Sequence, residues 1–288
     1  MRRLEFLITE VRNSTDNKDT NGISTNELVQ YFNDGQKYIE TLIFKNNPYA
    51  DLFKAQEVYE ANTDGVYDLP DDCYSENSIS MVEGRYNITE NNQGYSRIKP
   101  ISESEFAYIF GYTIRNKQVL ISGQNNIAQL QNVRVTYFKS LKSLDVRRGV
   151  IGTVTPGVSI AVTSFDTTAA QKSDHYSTVT NQGVQVIKNI YSESTSSPLN
   201  TVDTTGVITG QYLVSGANAQ NISDLPNACE PYLLDYVRQR IYTRNNYEDA
   251  GKQMYFTEQQ KQEVISIFSK NKKDDDTVPI TDIGFLCF

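Results

Sequence analysis

Tryptophan is absent from this sequence, histidine occurs once, and cysteine occurs only three times in 288 residues. Cys73, Cys229 and Cys287 lie far apart and are odd in number, which excludes a disulfide framework and a zinc-binding spacing. Free thiols and synthesis in the cytoplasm fit that usage. No apolar run approaches the ~18 residues of a transmembrane helix. The basic start, Met1-Arg2-Arg3, is interrupted by Glu5 and Glu10 and lacks a small-residue cleavage site, so no secretory signal is expected. Three sequons, at Asn13, Asn87 and Asn221, would matter only on a secretory route. Phosphate loops, dinucleotide fingerprints and zinc-helix motifs are also missing. Cations are outnumbered, 27 Lys and Arg against 35 Asp and Glu, for a net charge of −8. Such a surface repels phosphate and excludes a dedicated nucleic-acid reader. It serves solubility, or it forms a wall past which DNA slides; the sequence leaves both open.

What is present is a folding composition. Apolar residues make up 38% and charged residues 22%, with 19 Tyr and 12 Phe. That is too aromatic for disorder and enough for one large domain or two modest ones.

Leu4, Leu7, Ile8 and Val11 recur at helical spacing and predict a first helix. After a polar loop from Asn13 to Gly22, Ser24-Thr25-Asn26-Glu27 forms a capping box, with Ile23 and Leu28 placed as a hydrophobic staple. The stripe Leu28, Tyr31, Phe32, Ile39, Leu42, Ile43 predicts a helix from Thr25 to about Lys45. Phe53 to Ala61 reads as helix or strand. The turn Asn62-Thr63-Asp64-Gly65 followed by Val66 to Pro70 favours a hairpin. Ile79 to Val82 is a short strand whose alternation Val82 breaks. A second capping box, Ser102 to Glu105, predicts a short helix near Phe106. Tyr112 to Arg115, then Asn116-Lys117, then Gln118 to Ile121 reads as a tight hairpin. Val133, Val135 and Tyr137 alternate as a strand.

From 146 to 223 the chain turns rich in Thr, Ser, Val, Gly and Asn, with β-like runs at Val158–Val162, Val184–Ile187 and Gln211–Val214. Helical stripes return with Tyr232, Leu233, Tyr236, Val237 and Ile241. A second stripe has Tyr247, Ala250, Met254, Val264, Ile265 and Phe268, where Thr257 and Gln260 are placed to cap a break. A charged stretch, Lys270 to Asp276, leads into an apolar tail. Its Ile280, Ile283, Phe285, Leu286 and Phe288 are the candidate partner-docking residues.

Catalytic signals are thin. Ser173, Asp174 and His175 are chain neighbours, whereas a triad needs groups convergent in space, so His175 reads as an exposed loop residue. The acid pairs Asp71-Asp72 and Glu248-Asp249 and the run Asp274-Asp275-Asp276 are the solvated surface of an acidic chain. Asn17, Asp19, Asn21, Gly22 and Glu27 look like a calcium loop. Counted from Asn17, however, the twelfth position is Leu28, so the register is broken and a capped helix start is the better reading. No catalytic residue, cofactor or metal is expected.

The order of these elements resembles the head-to-tail adaptors of tailed bacteriophages, including podovirus tail accessory factors and the ring proteins of crAss-like phages. The likeness rests on Glu10-Val11-Arg12; on Ile23-Ser24, Glu27-Leu28, Tyr31, Asn33, Gln36 and Ile39; and on Tyr67, Leu69-Pro70 and Asp72. It continues through Gly111-Tyr112, Ile114, Val119 and Ile121; Val135, Tyr137-Phe138, Leu141 and Leu144; and a helical pair from Leu225-Pro226. It covers about 1–145 and 224–270. It implies a virion protein of the neck, made in the host cytoplasm. Copies of it, usually twelve, would form a ring beneath the portal, extend the DNA channel and meet downstream tail proteins. DNA would pass through without sequence-specific contact, and no membrane or enzyme activity is involved. The expected fold is α+β: a helical bundle from N- and C-terminal helices with a β-hairpin subdomain and an inserted all-β domain. The expected divisions are 1–145, a helical and β adaptor core; 146–223, the β-rich insertion; 224–270, helices completing the core; and 271–288, an extended docking tail. The competing readings are a glycan-binding or adhesive tail component acting through the β insertion, and a hydrolase with an unrecognised carboxylate pair.

Overall fold

The computed structural model describes residues 1–15, 22–46, 53–86, 94–123, 128–166, 175–180, 186–192, 197–201, 203–244 and 257–269. Helix α1 spans Leu4–Ser14 and buries Leu4, Leu7, Ile8 and Val11, the apolar stripe of its sequence. No side chain caps its start; instead the Leu4 N–H donates to the Asn221 carbonyl at 3.0 Å, tying the helix to a distant segment. Helix α2, Thr25–Asn46, starts where the capping box places it. Only half of that box forms. Ser24 Oγ accepts from the Glu27 N–H at 3.1 Å. The Glu27 carboxylate turns away to the Tyr31 hydroxyl at 2.7 Å and to Arg244 at 2.8 Å.

A 3₁₀ turn, Asn227–Cys229, leads into α3, Glu230–Arg244. Helix α4 spans Glu258–Ser269, and its Thr257–Gln260 box is reciprocal, with bonds of 3.2 and 3.0 Å. The four helices share one core, in which Leu28, Phe32, Ile39, Ile43, Leu233, Val237, Ile241 and Val264 meet Phe53, Phe138, Leu144 and Val146. Each buried Leu, Ile or Phe contributes ~1.5–3 kcal/mol, so this core outweighs the ion pairs at its rim. Among those pairs, Arg2 clasps Glu230 at 2.6 Å and Glu10 at 2.7 Å.

The β structure forms three antiparallel sheets. The first has the order β1 (Lys54–Glu60), β7 (Leu130–Phe138), β3 (Ile79–Tyr86), β4 (Ser96–Ile98). The second is β2 (Val66–Asp68), β6 (Gln118–Ile121), β5 (Tyr112–Arg115). These two share a core of Tyr67, Val82, Ile98, Val119, Ile121, Val133 and Val135. The third runs β11 (Val186–Tyr191), β10 (His175–Val179), β13 (Tyr212–Ser215), β8 (Gly149–Thr155), β9 (Ser159–Thr163), β12 (Leu199–Asn200). It has its own core of Ile151, Ile160, Tyr176, Ile190, Leu199 and Leu213.

The expected fold class is therefore corrected. Among the described residues, thirteen strands in three sheets outweigh four helices, so this is not a helical bundle carrying a small β-hairpin subdomain. The ambiguous run Phe53 to Ala61 decides much of the difference. It becomes β1 because every residue of that strand finds a partner on β7, from Lys54 with Phe138 to Glu60 with Asn132. The predicted hairpin around Asn62–Gly65 does not form either. Asn62 Oδ1 accepts the Gly65 N–H at 2.7 Å and turns the chain, but β1 and β2 then enter different sheets. The β5–β6 hairpin does form, with Asn116 and Lys117 both at positive φ, 51° and 58°, as a two-residue primed turn requires.

Where the helices meet the third sheet, Arg148 and Asp145 are buried together, their side chains 4% and 5% exposed. Arg148 donates twice to Asp145, at 2.6 and 2.9 Å, and also to Asp166 at 2.8 Å and to Asn26 of α2 at 2.7 Å. Asp145 in turn accepts the Ser215 N–H at 2.7 Å. One guanidinium thus joins α2, the linking segment and the third sheet.

Candidate functional site

The predicted docking residues Ile280, Ile283, Phe285, Leu286 and Phe288 lie outside the described residues, as do the loop positions Asn17, Asp19 and Asn21. His175 begins β10 and is exposed, its ring 5.2 Å from that of Tyr191. No group of three or more His, Cys, Asp or Glu able to hold a metal occurs among the described residues. Glu27, the acid of the calcium-like pattern, is committed to Arg244 and Tyr31. No described helix is long and apolar enough to cross a membrane. The buried Asp145–Arg148 pair borders a depression of about 290 Å³, but its charged groups are turned on one another and serve as a joint between elements.

The feature built to face outward is the loop 102–110, between β4 and β5. Its first turn is the predicted box in altered form. The Ser102 N–H and hydroxyl both donate to the Glu105 carboxylate, at 3.0 and 2.7 Å, which holds that carboxyl below its ordinary range. The predicted helix stops after that turn. Tyr108 and Ile109 still donate to the Glu105 carbonyl, at 2.9 and 3.0 Å. Then Gly111 leads into β5, too soon for a helix to propagate. Gly111 is required there, because a Cβ would lie 2.7 Å from the Lys99 carbonyl and 2.5 Å from Ile101.

The far end of the loop is pinned by Ser122, which is 3% exposed. Its hydroxyl accepts the Gly111 N–H at 3.0 Å and donates to the Ile109 carbonyl. The result is an apolar segment, Phe106-Ala107-Tyr108-Ile109-Phe110, held at both ends and turned outward. Tyr108 is 89% exposed and Ile109 47%. Beneath it lies a depression of about 450 Å³ lined by Thr63, Asp64, Val66, Phe106, Leu120 and Ser122 among others.

A pinned loop carrying an exposed Tyr beside an exposed Ile offers a large contact area with little ordering left to do on binding. Sequence reading placed a helix here and missed the exposure. The available signal was a capping box followed by only five apolar residues before a glycine. Comparison with known proteins gives no match, either to a family model or to a curated sequence.

Proposed function

We propose that this chain is a structural virion protein, a ring subunit of a phage head-to-tail connector that joins the portal to the tail and extends the DNA channel. The observation that carries the reading is the pinned aromatic tip, an exposed apolar element held in place before anything binds it. The sequence resemblance supplies the rest: other copies in the ring, commonly twelve, the portal above and neck or tail proteins below, with DNA passing through unread. The acidic balance of the chain, −8, suits a channel wall that does not retain phosphate.

The test is negative-stain imaging of the purified chain, alone and mixed with the portal protein encoded in the same genome. Twelve-fold density added to the portal is the expected result, and a Tyr108→Ser, Ile109→Ser variant should fold normally yet add less. A protein that stays monomeric and leaves the portal bare overturns the proposal. The sugar-binding reading has one feature in its favour, the exposed Tyr191 beside His175 at the edge of the third sheet. Saturable oligosaccharide binding lost on Tyr191→Ala, without portal binding, would establish it instead.

A further inference from the structure

Charge within the first two sheets is segregated, and the register of the strands shows how. In the first sheet Val58, Arg134, Glu83 and Arg97 form one cross-strand row, and Glu60, Asn132 and Arg85 form the next on the same side. Gln56, Thr136 and Met81 form a third row on that side. The opposite side, with Val82, Ile98, Val133 and Val135, is buried against the second sheet.

The outer side carries four cations, Lys54, Arg85, Arg97 and Arg134, against two carboxylates, Glu60 and Glu83. Glu83 is already paired with Arg134 at 2.6 Å, and the Arg134 guanidinium lies 4.1 Å from the Tyr95 ring centre, which fixes it in the middle of the face. Lys54, Arg97 and Glu60 are exposed at its two edges, and Val58, 50% exposed, adds an apolar spot. Everywhere else in the described part of 53–138 the balance reverses. Glu57, Asp64, Asp68, Asp71, Asp72, Glu76, Glu103 and Glu105 outnumber Lys99, Arg115 and Lys117. Most of these acids sit in the segment 64–76 and the turn 103–105.

We infer that the outer face of the first sheet, with Arg134 at its middle and Arg97 at its edge, is one half of a head-to-tail contact between copies of this chain. The acidic segments 64–76 and 103–105 of the next copy are the other half. The inference rests on the ring reading and names its lateral surface. Charge complementarity selects the occupant: a body cationic on one side and anionic on others matches its own copy in a heterologous arrangement, which closes into a ring when the rotation allows. A two-fold contact centred on the cationic face would instead set like against like.

Exposed pairs contribute little one at a time, so the informative change is reversal, which places like charges opposite each other. The face-reversed variant is Arg85→Glu, Arg97→Glu; the loop-reversed variant is Asp71→Lys, Glu103→Lys. Each is compared with wild type by sedimentation velocity and negative stain, alone and with portal, after circular dichroism confirms folding. Each should raise the concentration for half-assembly at least tenfold, and the chain carrying both sets should recover most of that loss. Wild-type assembly should weaken between low and high salt.

If the reversed variants assemble like wild type, the surface is wrong while the ring stands. If wild type assembles neither alone nor with portal, the ring reading fails and this inference with it. If wild type binds a short DNA duplex through Arg85 and Arg97 and the charge swap rescues nothing, the face is a phosphate-contacting surface and the copy-to-copy contact is refuted.

Discussion

Replacing Arg148 by methionine should be the most damaging single change among the surface and junction charges. The side chains of Arg148 and Asp145 are only 4% and 5% exposed, so solvent neither screens the pair nor rescues a widowed partner. Removing the guanidinium strands the Asp145 carboxylate, deprives Asp166 and Asn26 of a donor, and loosens α2 from the third sheet. Breaking a buried pair in this way costs ~3–5 kcal/mol. That is a large share of the ~5–15 kcal/mol that holds a domain folded. With a urea m-value of roughly 3 kcal/mol/M, the midpoint should fall by about 1–1.7 M. Tyrosine fluorescence can follow it without interference, since the chain lacks tryptophan and Tyr212 lies close by under Arg147. The decisive companion is the double variant Asp145→Asn, Arg148→Met. The introduced amide would keep an oxygen for the Ser215 N–H but bury no charge, so at least half of the loss should return. A single-variant loss under ~1 kcal/mol, or a double variant no better than the single, would refute the account of Arg148 as the joint.

In α2, Gly35→Ala should destabilise the protein by ~1–3 kcal/mol, although alanine is ~1 kcal/mol better in a helix. A Cβ there would lie 2.8 Å from the Tyr236 ring and 2.9 Å from Leu233 on α3, and a raised urea midpoint would show that these side chains yield freely. Acid should weaken the Arg2–Glu230 clasp. Burial alone would raise the Glu230 carboxyl, but the Arg2 hydrogen bonds bring it below its ordinary 4.5, so its contribution is whole above that value and lost as pH falls through the depressed one. Because Arg2 is half exposed, the effect is under ~1 kcal/mol, and Glu230→Gln should lose less stability than wild type as pH falls below 4.5. The Cys229 thiol is fully buried and burial pushes it up to about 12, so in a Cys73→Ser, Cys287→Ser background it should resist thiol reagents at neutral pH until the protein unfolds. Labelling of Cys229 as fast as that of an unfolded control would contradict that placement.

Local signals carried the helices. The Leu4 to Val11 stripe, the Ser24 cap and the Thr257–Gln260 box each specify an element from residues a few positions apart, and each element starts where its signal lies. The β architecture depends on partners that local patterning does not name. Lys54–Glu60 alternates poorly, and in the structure its burial is poor as well. It is a strand because β7 pairs with it along its whole length. The loop 102–110 shows the opposite failure. A genuine helix-start signal is present, but its continuation finds no core, so propensity yields one turn and an exposed Tyr108.

The cationic face was illegible for a related reason, and β3 shows why. Strict alternation from Ile79 would bring Met81 and Glu83 to the inner side. The register instead shifts between Ile79 and Met81, so that Met81 pairs with Thr136 and Val82 with Val135. That one-residue bulge returns Val82, fully buried, to the core, and it moves Glu83 and Arg85 outward beside Arg134. The same irregularity that made Val82 look like a fault in the strand therefore creates the outer row of charges. Acids and bases that are interleaved along the chain become separated in space only once this register is set. A net charge of −8 therefore conceals a surface on which one side is positive, and that polarity is what a head-to-tail contact needs.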